Sequence, residues 1–289
     1  MKEILIVSGK GGTGKTSITA SIASIIKNSV FADCDVDAAD LHLVLDPKIY
    51  ENHEFISGHL PYIRQDECTS CGICHDNCRF DAIKFIDEKY TVDETACEGC
   101  GVCTSFCPSN AIDFNDSLCG HWYVSNTRFG KMVHAKLKIA AENSGKLVSV
   151  VRNKAKEIAT INRNDYVIID GPPGIGCPVI ASMTGVDYVM VITEPTLAGL
   201  HDMERVISLA SHFKIDTYVC INKYDVNPSI AQQIKNMLSE HNIPLIGNIP
   251  YDKDITLAQI NKQSVIEYSN GPASQAIQDM WQNFIQLTS

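Results

Sequence analysis

The feature that most constrains the fold is a glycine-rich loop between a predicted strand and a predicted helix. Residues 3–7, which are apolar after Glu3, form a short run typical of a buried strand, and isoleucines recur at helical spacing over residues 18–26. A strand that leads through a tight loop into a helix is half of a β-α-β unit, from which parallel sheets are built. We therefore expect an α/β protein with a mostly parallel sheet.

The loop itself satisfies the pattern G-x-x-x-x-G-K-[ST] of a phosphate-binding loop. Its glycines let backbone N–H groups surround phosphate oxygens, and the helix N-terminus adds the positive end of a dipole. Lys15 is expected to reach the β and γ phosphates, and the Thr16 hydroxyl is expected to bind Mg²⁺. The predicted nucleotide-binding residues here are Gly9, Lys10, Gly11, Gly12, Thr13, Gly14, Lys15, Thr16 and Ser17. This pattern predicts a P-loop nucleoside triphosphate hydrolase.

The rest of the chain predicts one large domain that is interrupted by a small one. Apolar runs at 166–169, 188–192 and 217–221 are typical of buried strands, and helical patterns separate them. Between 61 and 117, cysteine and glycine are dense and long apolar periods are absent. We therefore predict a P-loop domain formed by residues 1–60 and 118–289, with an inserted domain at 61–117.

The net charge and the hydropathy of the chain limit the classes of molecule that it is expected to bind. The formal net charge is −10 at pH 7, whereas binding to nucleic acid or anionic lipid requires clustered Lys and Arg. No apolar stretch approaches the roughly 20 residues of a membrane-spanning helix, and no secretion signal is recognisable. We expect a cytoplasmic protein that binds neither nucleic acid nor membrane.

Eight of the 12 cysteines form two runs with the same spacing. Each run reads C-x₂-C-x₂-C-x₃-C, the pattern that holds 4Fe-4S clusters. Three thiolates on one tight loop can hold three corners of a cubane, while the fourth cysteine lies too far around and binds the other cluster. The expected ligand sets are Cys68, Cys71 and Cys74 with Cys107, and Cys97, Cys100 and Cys103 with Cys78. Zinc is the alternative, although its structural sites typically pair two separated C-x₂-C knuckles.

The second lysine of the loop, Lys10, makes the motif resemble the deviant Walker A signature of the MinD/ParA family. That group includes the nitrogenase iron protein and the cluster-carrier ATPases. The resemblance implies their fold for all of the chain except the insertion, and an ATP-dependent homodimer in which Lys10 reaches the nucleotide of the other subunit. The insertion resembles a bacterial two-cluster ferredoxin, with Pro108 after Cys107 but Arg79 in place of the second proline.

Two further segments resemble the switch regions of this family. Residues 167–174 are similar to its Walker B motif and switch II, which implies that Asp170 holds Mg²⁺. Residues 33–35 are similar to switch I, which implies that Asp35 positions the attacking water and that Asp33 lies near Mg²⁺. The resemblance therefore implies Lys10, Lys15 and Asp35 as catalytic residues, with Thr16, Asp33 and Asp170 around the metal.

The predicted base-binding segment leaves two nucleotides open. Residues 222–225 fit the N-K-x-D pattern of GTPases, in which the aspartate, here Asp225, accepts hydrogen bonds from guanine. The family resemblance instead implies ATP, with Asn222 facing adenine. ATP is the favoured prediction and GTP the alternative.

These motifs allow three functions. The first is an ATPase whose nucleotide state controls delivery of electrons, iron-sulfur clusters or another metallocofactor to an unidentified redox or metallocofactor partner. The second is a ParA/MinD-like positioning or scaffold ATPase in which the clusters are structural or act as sensors. The third is a GTPase metal-insertion chaperone, which only Asn222 and Asp225 support.

Several residues remain outside these motifs. Cys34 and Cys220 lie in predicted strands and are expected to be small buried apolar groups. Cys177 follows Asp170 by the interval found for one cluster ligand of the nitrogenase iron protein, but Cys119 stands too far upstream to be the second ligand, so a structural role is favoured. A partner surface is a further option for the polar and aromatic residues His121, Trp122, Arg128, His134, Glu142 and Asn143.

Overall fold

A computed structural model describes residues 1–138 and 144–289 of the chain. Glu142 and Asn143 lie outside the described residues. The strands are β1 Lys2–Ser8, β2 Ser29–Asp33, β3 Lys48–Ile63, β4 Ile83–Ile86, β5 Lys89–Val92, β6 Ile112–Thr127, β7 Gly130–Leu137, β8 Tyr166–Pro173, β9 Tyr188–Thr193, β10 Asp216–Asn222 and β11 Leu245–Ile249. The helices are α1 Lys15–Ile25, α2 Leu41–Leu45, α3 Ile73–Asp76, α4 Val102–Phe106, α5 Ser144–Asn162, α6 Cys177–Met183, α7 Leu197–His212, α8 Pro228–Glu240, α9 Asp254–Ile260, α10 Val265–Tyr268 and α11 Pro272–Thr288.

Nine of the strands form one large sheet with the order β11-β10-β9-β1-β8-β2-β7-β6-β3, and β4 and β5 form a separate two-stranded sheet. Pairing is parallel from β11 to β7, and β1 lies between β8 and β9. Neighbouring parallel strands have their carboxyl ends on the same side of the sheet, so the loops after β1, β2 and β8 lie close together there. The structure confirms the predicted α/β architecture with its mostly parallel sheet.

The core is formed where α1 and α11 pack against the sheet. Ile18 and Ile22, one helical turn apart on α1, are fully buried together with Ile6 of β1. Phe284 of α11 belongs to the same apolar cluster and is also fully buried. Each such side chain contributes roughly 1.5–3 kcal/mol on leaving water. This packing fixes α1 against β1, and with it the loop that joins them.

The chain divides into two compact units. The first comprises residues 1–52, 122–136 and 144–289, and the second comprises His53–His121 with Leu137 and Lys138 among the described residues that follow. The predicted insertion at 61–117 falls inside the second unit, whose first residue lies within β3. The composition changes only near residue 61, whereas β3 has already begun at Lys48. The predicted boundaries stay a prediction.

The second unit is built from two similar halves. Gly72 and Gly101, with φ of 79° and 73°, precede the single-turn helices α3 and α4. A strand follows each half, β4 from Ile83 and β6 from Ile112, and β4 pairs with β5 as an antiparallel hairpin. Both isoleucines belong to one small apolar cluster. The sequence repeat of the cysteine runs is therefore also a structural repeat.

Two of the residues outside the motifs pack within the first unit. The guanidinium of Arg128 donates two hydrogen bonds to the Glu267 carboxylate, at 2.7 and 2.8 Å. His134 is buried, with Nε2 at 2.9 Å from Ser125 Oγ. Among the described residues, we find no helix with the length and apolar character that crossing a bilayer requires.

Candidate functional site

The phosphate loop adopts a shape that requires glycine. Gly12 and Gly14 have φ of 80° and 87°, in the left-handed region that glycine favours. A Cβ atom at Gly14 would lie 2.4 Å from Asn222 Nδ2. Asn222 is buried, and its Nδ2 donates a 2.7 Å hydrogen bond to the Thr13 carbonyl. Asn222 therefore holds the loop in place from the end of β10.

Asp170 is the centre of the site. It is fully buried in the carboxyl-terminal half of β8, and its carboxylate lies 2.9 Å from Lys15 Nζ. The hydroxyls of Thr16 and Thr19 donate to it, each at 2.8 Å. Asp170 is also the register partner of Asp33 on β2. The parallel register thus brings the predicted Walker A, Walker B and switch I residues together.

Three carboxylates surround one ammonium group. Lys15 Nζ lies 3.7 Å from Asp35 Oδ2, and Asp33 is fully buried nearby. Burial, reinforced by repulsion from Asp170, raises the pKa of Asp33 well above its ordinary value, and burial with repulsion from the same carboxylate raises the pKa of Asp35 to about 6. Although burial lowers the pKa of Lys15, attraction to Asp170 and Asp35 outweighs it and raises that pKa. Asp33 and Asp170, register partners on neighbouring strands, offer the oxygen ligands that the hard cation Mg²⁺ prefers.

A cavity of about 430 Å³ opens over the phosphate loop. This volume is within the range of small-molecule and cofactor sites. Residues of the loop line it from Gly11 to Ser17, and Asp35 lines it as well. Thr13 Oγ1 is buried there without a hydrogen-bond partner among the described residues, so a ligand oxygen could satisfy it.

The signature lysine, Lys10, is paired within its own chain. Its Nζ lies 2.7 Å from a carboxylate oxygen of Glu194 and 3.3 Å from Thr196 Oγ1. Lys223 Nζ lies 3.4 Å from the other oxygen of Glu194. Although burial raises the pKa of Glu194, its contacts with Lys10 outweigh that effect and lower it. Sequence analysis missed Glu194 and Thr196, whose only signal is their place directly after β9.

The base-recognition residues have other partners in the structure. Asn222 is bonded to the phosphate loop, and Asp225 Oδ1 accepts a 2.7 Å hydrogen bond from the backbone N–H of Tyr251. Asn222 and Tyr251 line the cavity, as does Gln259 of α9, whose side chain donates to Ser17 Oγ at 2.8 Å. Sequence analysis missed Gln259, and the choice between ATP and GTP stays a prediction.

The eight cysteines of the two runs line two separate pockets in the second unit. The first cysteine cage contains Cys68, Cys71, Cys74 and Cys107. The second cysteine cage contains Cys78, Cys97, Cys100 and Cys103. Each cage therefore combines three cysteines of one run with the last cysteine of the other, which is the exchange that the spacing predicts.

The arrangement of thiols bears on which metal group fits. Among the described residues, no three His, Cys, Asp or Glu side chains are grouped as they would be around a single metal ion. Structural zinc would require four thiolates at about 2.3 Å from one centre. In a 4Fe-4S cluster four cysteines bind the iron atoms of a much larger body, so their sulfurs stay apart. Each cage offers four thiols, and the choice between 4Fe-4S clusters and zinc stays a prediction.

The remaining cysteines have diverse surroundings. Cys34 and Cys220 are fully buried, and burial raises the pKa of each thiol. Cys119 is buried and donates to the Ser57 carbonyl at 2.9 Å, whereas Cys177 is exposed at the first turn of α6. The structural role favoured for Cys177 stays a prediction.

We predict that Asn222→Ala weakens nucleotide binding about fivefold or more. The substitution removes the hydrogen bond to Thr13 and leaves a buried carbonyl unpaired, at a cost of about 1–3 kcal/mol. Calorimetric titration with a slowly hydrolysed ATP analogue measures the effect, with the exposed Asn236→Ala on α8 as control. Equal affinities for Asn222→Ala and the wild-type protein would contradict the bracing role.

Comparison with known proteins agrees with this geometry. The family model "CobQ/CobB/MinD/ParA nucleotide binding domain" matches residues 4–265. An uncharacterized protein of Methanocaldococcus jannaschii is 34% identical over 283 residues, which is 97% of this chain and 95% of that protein. The septum site-determining protein MinD complexed with Mg-ADP from Pyrococcus horikoshii has a TM-score of 0.60 at 19% identity, over 100% of this chain and 97% of that one.

A second solved structure extends the likeness. The MinC:MinD cell division protein complex of Aquifex aeolicus matches with a TM-score of 0.59 at 17% identity, covering 99% of this chain and 96% of that one. At these identities the solved structures show the fold, while the family model shows membership. The relationship to the nitrogenase iron protein and the inserted ferredoxin domain stay predictions. The chain belongs to the CobQ/CobB/MinD/ParA nucleotide-binding family.

Proposed function

We propose that this chain is a Mg²⁺-dependent ATPase of the MinD/ParA type whose nucleotide state controls association with a partner. The observation that carries the proposal is the convergence of Lys15, Asp35 and Asp170 beside one phosphate loop. The relatives support this ParA/MinD-like function better than they support electron or cofactor delivery. The GTPase alternative has less support, because Asp225 is bonded to Tyr251 and does not line the cavity.

The roles of the residues follow from their positions. Thr16, Asp33 and Asp170 would hold Mg²⁺, which neutralises charge on the phosphates when it is bound. Lys15 binds the β and γ phosphates. Asp35 lies less deeply than Asp33 and lines the cavity, so it is the carboxylate placed to orient the attacking water.

We predict that Lys15→Ala abolishes nucleotide binding, whereas Asp35→Ala binds ATP but hydrolyses it on the order of 100-fold more slowly. The first change removes the phosphate contact, and the second removes the group that orients water. Binding by calorimetry and phosphate release at saturating ATP measure the two effects. The exposed Asp37→Ala is the matched control, and wild-type turnover in Asp35→Ala would refute the assignment.

We also propose an ATP-dependent homodimer in which Lys10 contributes to the nucleotide site of the partner. A solved structure of the same fold is a MinC:MinD cell division protein complex, which supports association with another protein chain. The Glu194 carboxylate pairs with Lys10 within the same chain. Pairing of two chains would therefore exchange Glu194 for the phosphates of the other subunit.

We predict that Lys10→Ala eliminates ATP-dependent pairing, whereas Glu194→Gln strengthens it about two- to fivefold. A partly exposed ion pair contributes about 0.2–1 kcal/mol. Its loss lowers the free energy needed to release Lys10 for the partner's nucleotide site by that amount. Sedimentation velocity with ADP and with a slowly hydrolysed ATP analogue measures pairing. Glu204→Gln, an exposed change on α7, is the control. Weaker pairing in Glu194→Gln would contradict the exchange.

For the second unit we propose two 4Fe-4S clusters, one in each cysteine cage. The donor sets support this assignment, since each cage offers four thiols from the spacing that such clusters require. A bound cluster supplies one-electron transfer. Electron or cofactor delivery is the second candidate function, and one observation favours it: Cys74 and Cys103, from different cages, border the same small apolar cluster. The two clusters would then be neighbours.

We predict about eight iron atoms per chain in anaerobically prepared protein, and loss of about half of them in Cys107→Ala. Redox titration with ADP and with a slowly hydrolysed ATP analogue then separates the candidate functions. A potential that depends on the nucleotide supports delivery or sensing, whereas equal potentials support structural clusters. Stoichiometric zinc without iron would refute the cluster assignment.

A further inference from the structure

The two cysteine cages are closely matched, which makes any difference between them informative. Cys74 and Cys103 hold equivalent places in the two runs, and each is 8% exposed. After the fourth cysteine of each run the sequence reads C-x-x-x-A-I. The backbone N–H of Ala82 donates to Cys78 Sγ at 3.3 Å, and that of Ala111 donates to Cys107 Sγ at the same distance. The alanine N–H of the repeat therefore donates to both fourth cysteines in the same way.

The side chains two residues after the fourth cysteines differ. Ser109 follows Cys107, and its Oγ lies 3.6 Å from Cys107 Sγ. A metal-bound thiolate carries no proton, so in a loaded cage the serine hydroxyl is the donor. Phe80 holds the equivalent position after Cys78 and offers no donor. The Cys107 sulfur thus receives a hydrogen bond from a side-chain hydroxyl that the other run lacks.

The linings of the two cages also differ in hydrogen-bond donors, and the first cage again has more of them. Thr69, Tyr90 and Ser109 bring three hydroxyl groups to the first cage. Apolar side chains dominate the second cage, where Glu98 supplies a carboxylate. Hydroxyl dipoles can stabilise added negative charge, whereas apolar surroundings and a carboxylate oppose it.

The charged side chains beside the second cage do not reverse this difference in how well the two cages stabilise added negative charge. Arg79 is exposed beside the second cage, and a positive charge there favours reduction. Its effect is screened by water, and the carboxylate of Asp81 two residues later is paired with Lys84, so those two charges largely cancel. A hydrogen bond made directly to a ligand sulfur acts at contact distance and is not screened in this way.

We propose that Ser109 makes the cluster of the first cysteine cage easier to reduce than the cluster of the second. The inference rests on the proposed occupancy of both cages. Each reduction adds one electron and breaks no bond, and hydrogen bonds to the sulfurs stabilise the added charge. Given one electron from a low-potential one-electron donor such as dithionite, the chain holds it in the first cage. An electron entering at the second cage passes to the first, which fixes the direction of transfer.

An anaerobic redox titration of the full chain with dithionite tests this, with the reduced clusters followed by electron paramagnetic resonance. The wild-type protein is expected to show two one-electron waves. Ser109→Ala is expected to lower the upper wave by a three- to tenfold change in its reduction equilibrium, about 28–59 mV at about 59 mV per tenfold. Ser109→Thr keeps the hydroxyl and is expected to keep the wave.

Two further variants keep the test decisive even if Ser109→Ala loses the cluster of the first cage. Phe80→Ser places a hydroxyl at the equivalent position and is expected to raise the lower wave. Ser105→Ala removes a hydroxyl on α4 that bonds to the Gly101 carbonyl, and it is expected to change neither wave. If Ser109→Ala loses its cluster, Phe80→Ser decides, and an unchanged lower wave would overturn the proposal.

The outcomes also separate this inference from the function on which it rests. Wild-type protein without iron would overturn both the cluster assignment and the inference. Protein with about eight iron atoms per chain and with the same two waves in Ser109→Ala would overturn the role of Ser109 alone.

Discussion

The ion pair between Lys15 and Asp170 is the interaction on which the nucleotide site depends. Both groups are buried, so each would lose hydration at a cost of several kcal/mol without the other. Two threonine hydroxyls complete the shell of Asp170. Removal of either ion would leave an uncompensated charge, which is far more destabilising than an unmade surface pair. The pair also joins the first turn of α1 to β8, so the parallel register must be correct before the site exists.

Nucleotide binding in such a site is an exchange of partners more than an addition of contacts. In the structure Lys15 pairs with Asp170 and Asp35, while Lys10 pairs with Glu194. Phosphates would compete for both lysines, and Mg²⁺ would compete for the carboxylates that they release. The difference between two sets of charge-assisted bonds is small compared with either set. A site built in this way can therefore switch with the nucleotide present, because neither arrangement is overwhelmingly favoured.

Sequence predicts those parts of the molecule that depend on local spacing. The phosphate loop and the two cysteine cages follow from residues a few positions apart, where loop geometry limits which side chains can meet. Glu194 and Gln259 could not be predicted, because they reach Lys10 and Ser17 from distant segments through the tertiary fold. The short pattern around Asp225 was ambiguous for a different reason: an aspartate after a strand can equally well accept from a backbone N–H, as it does from Tyr251.

The chain path offers a physical basis for coupling between the nucleotide site and the second unit. The backbone N–H of Leu41, the first residue of α2, donates to Asp33 Oδ2. β3 begins three residues after α2 ends and runs on into the second unit. The strand that returns, β6, ends next to Arg128, which donates to the Val44 carbonyl on the same helix. The chain segments that lead into and out of the second unit are therefore both connected to α2, one by the backbone and the other by a hydrogen bond. A shift of Asp33 on metal or phosphate binding would act directly on this five-residue helix, because one hydrogen bond joins the two.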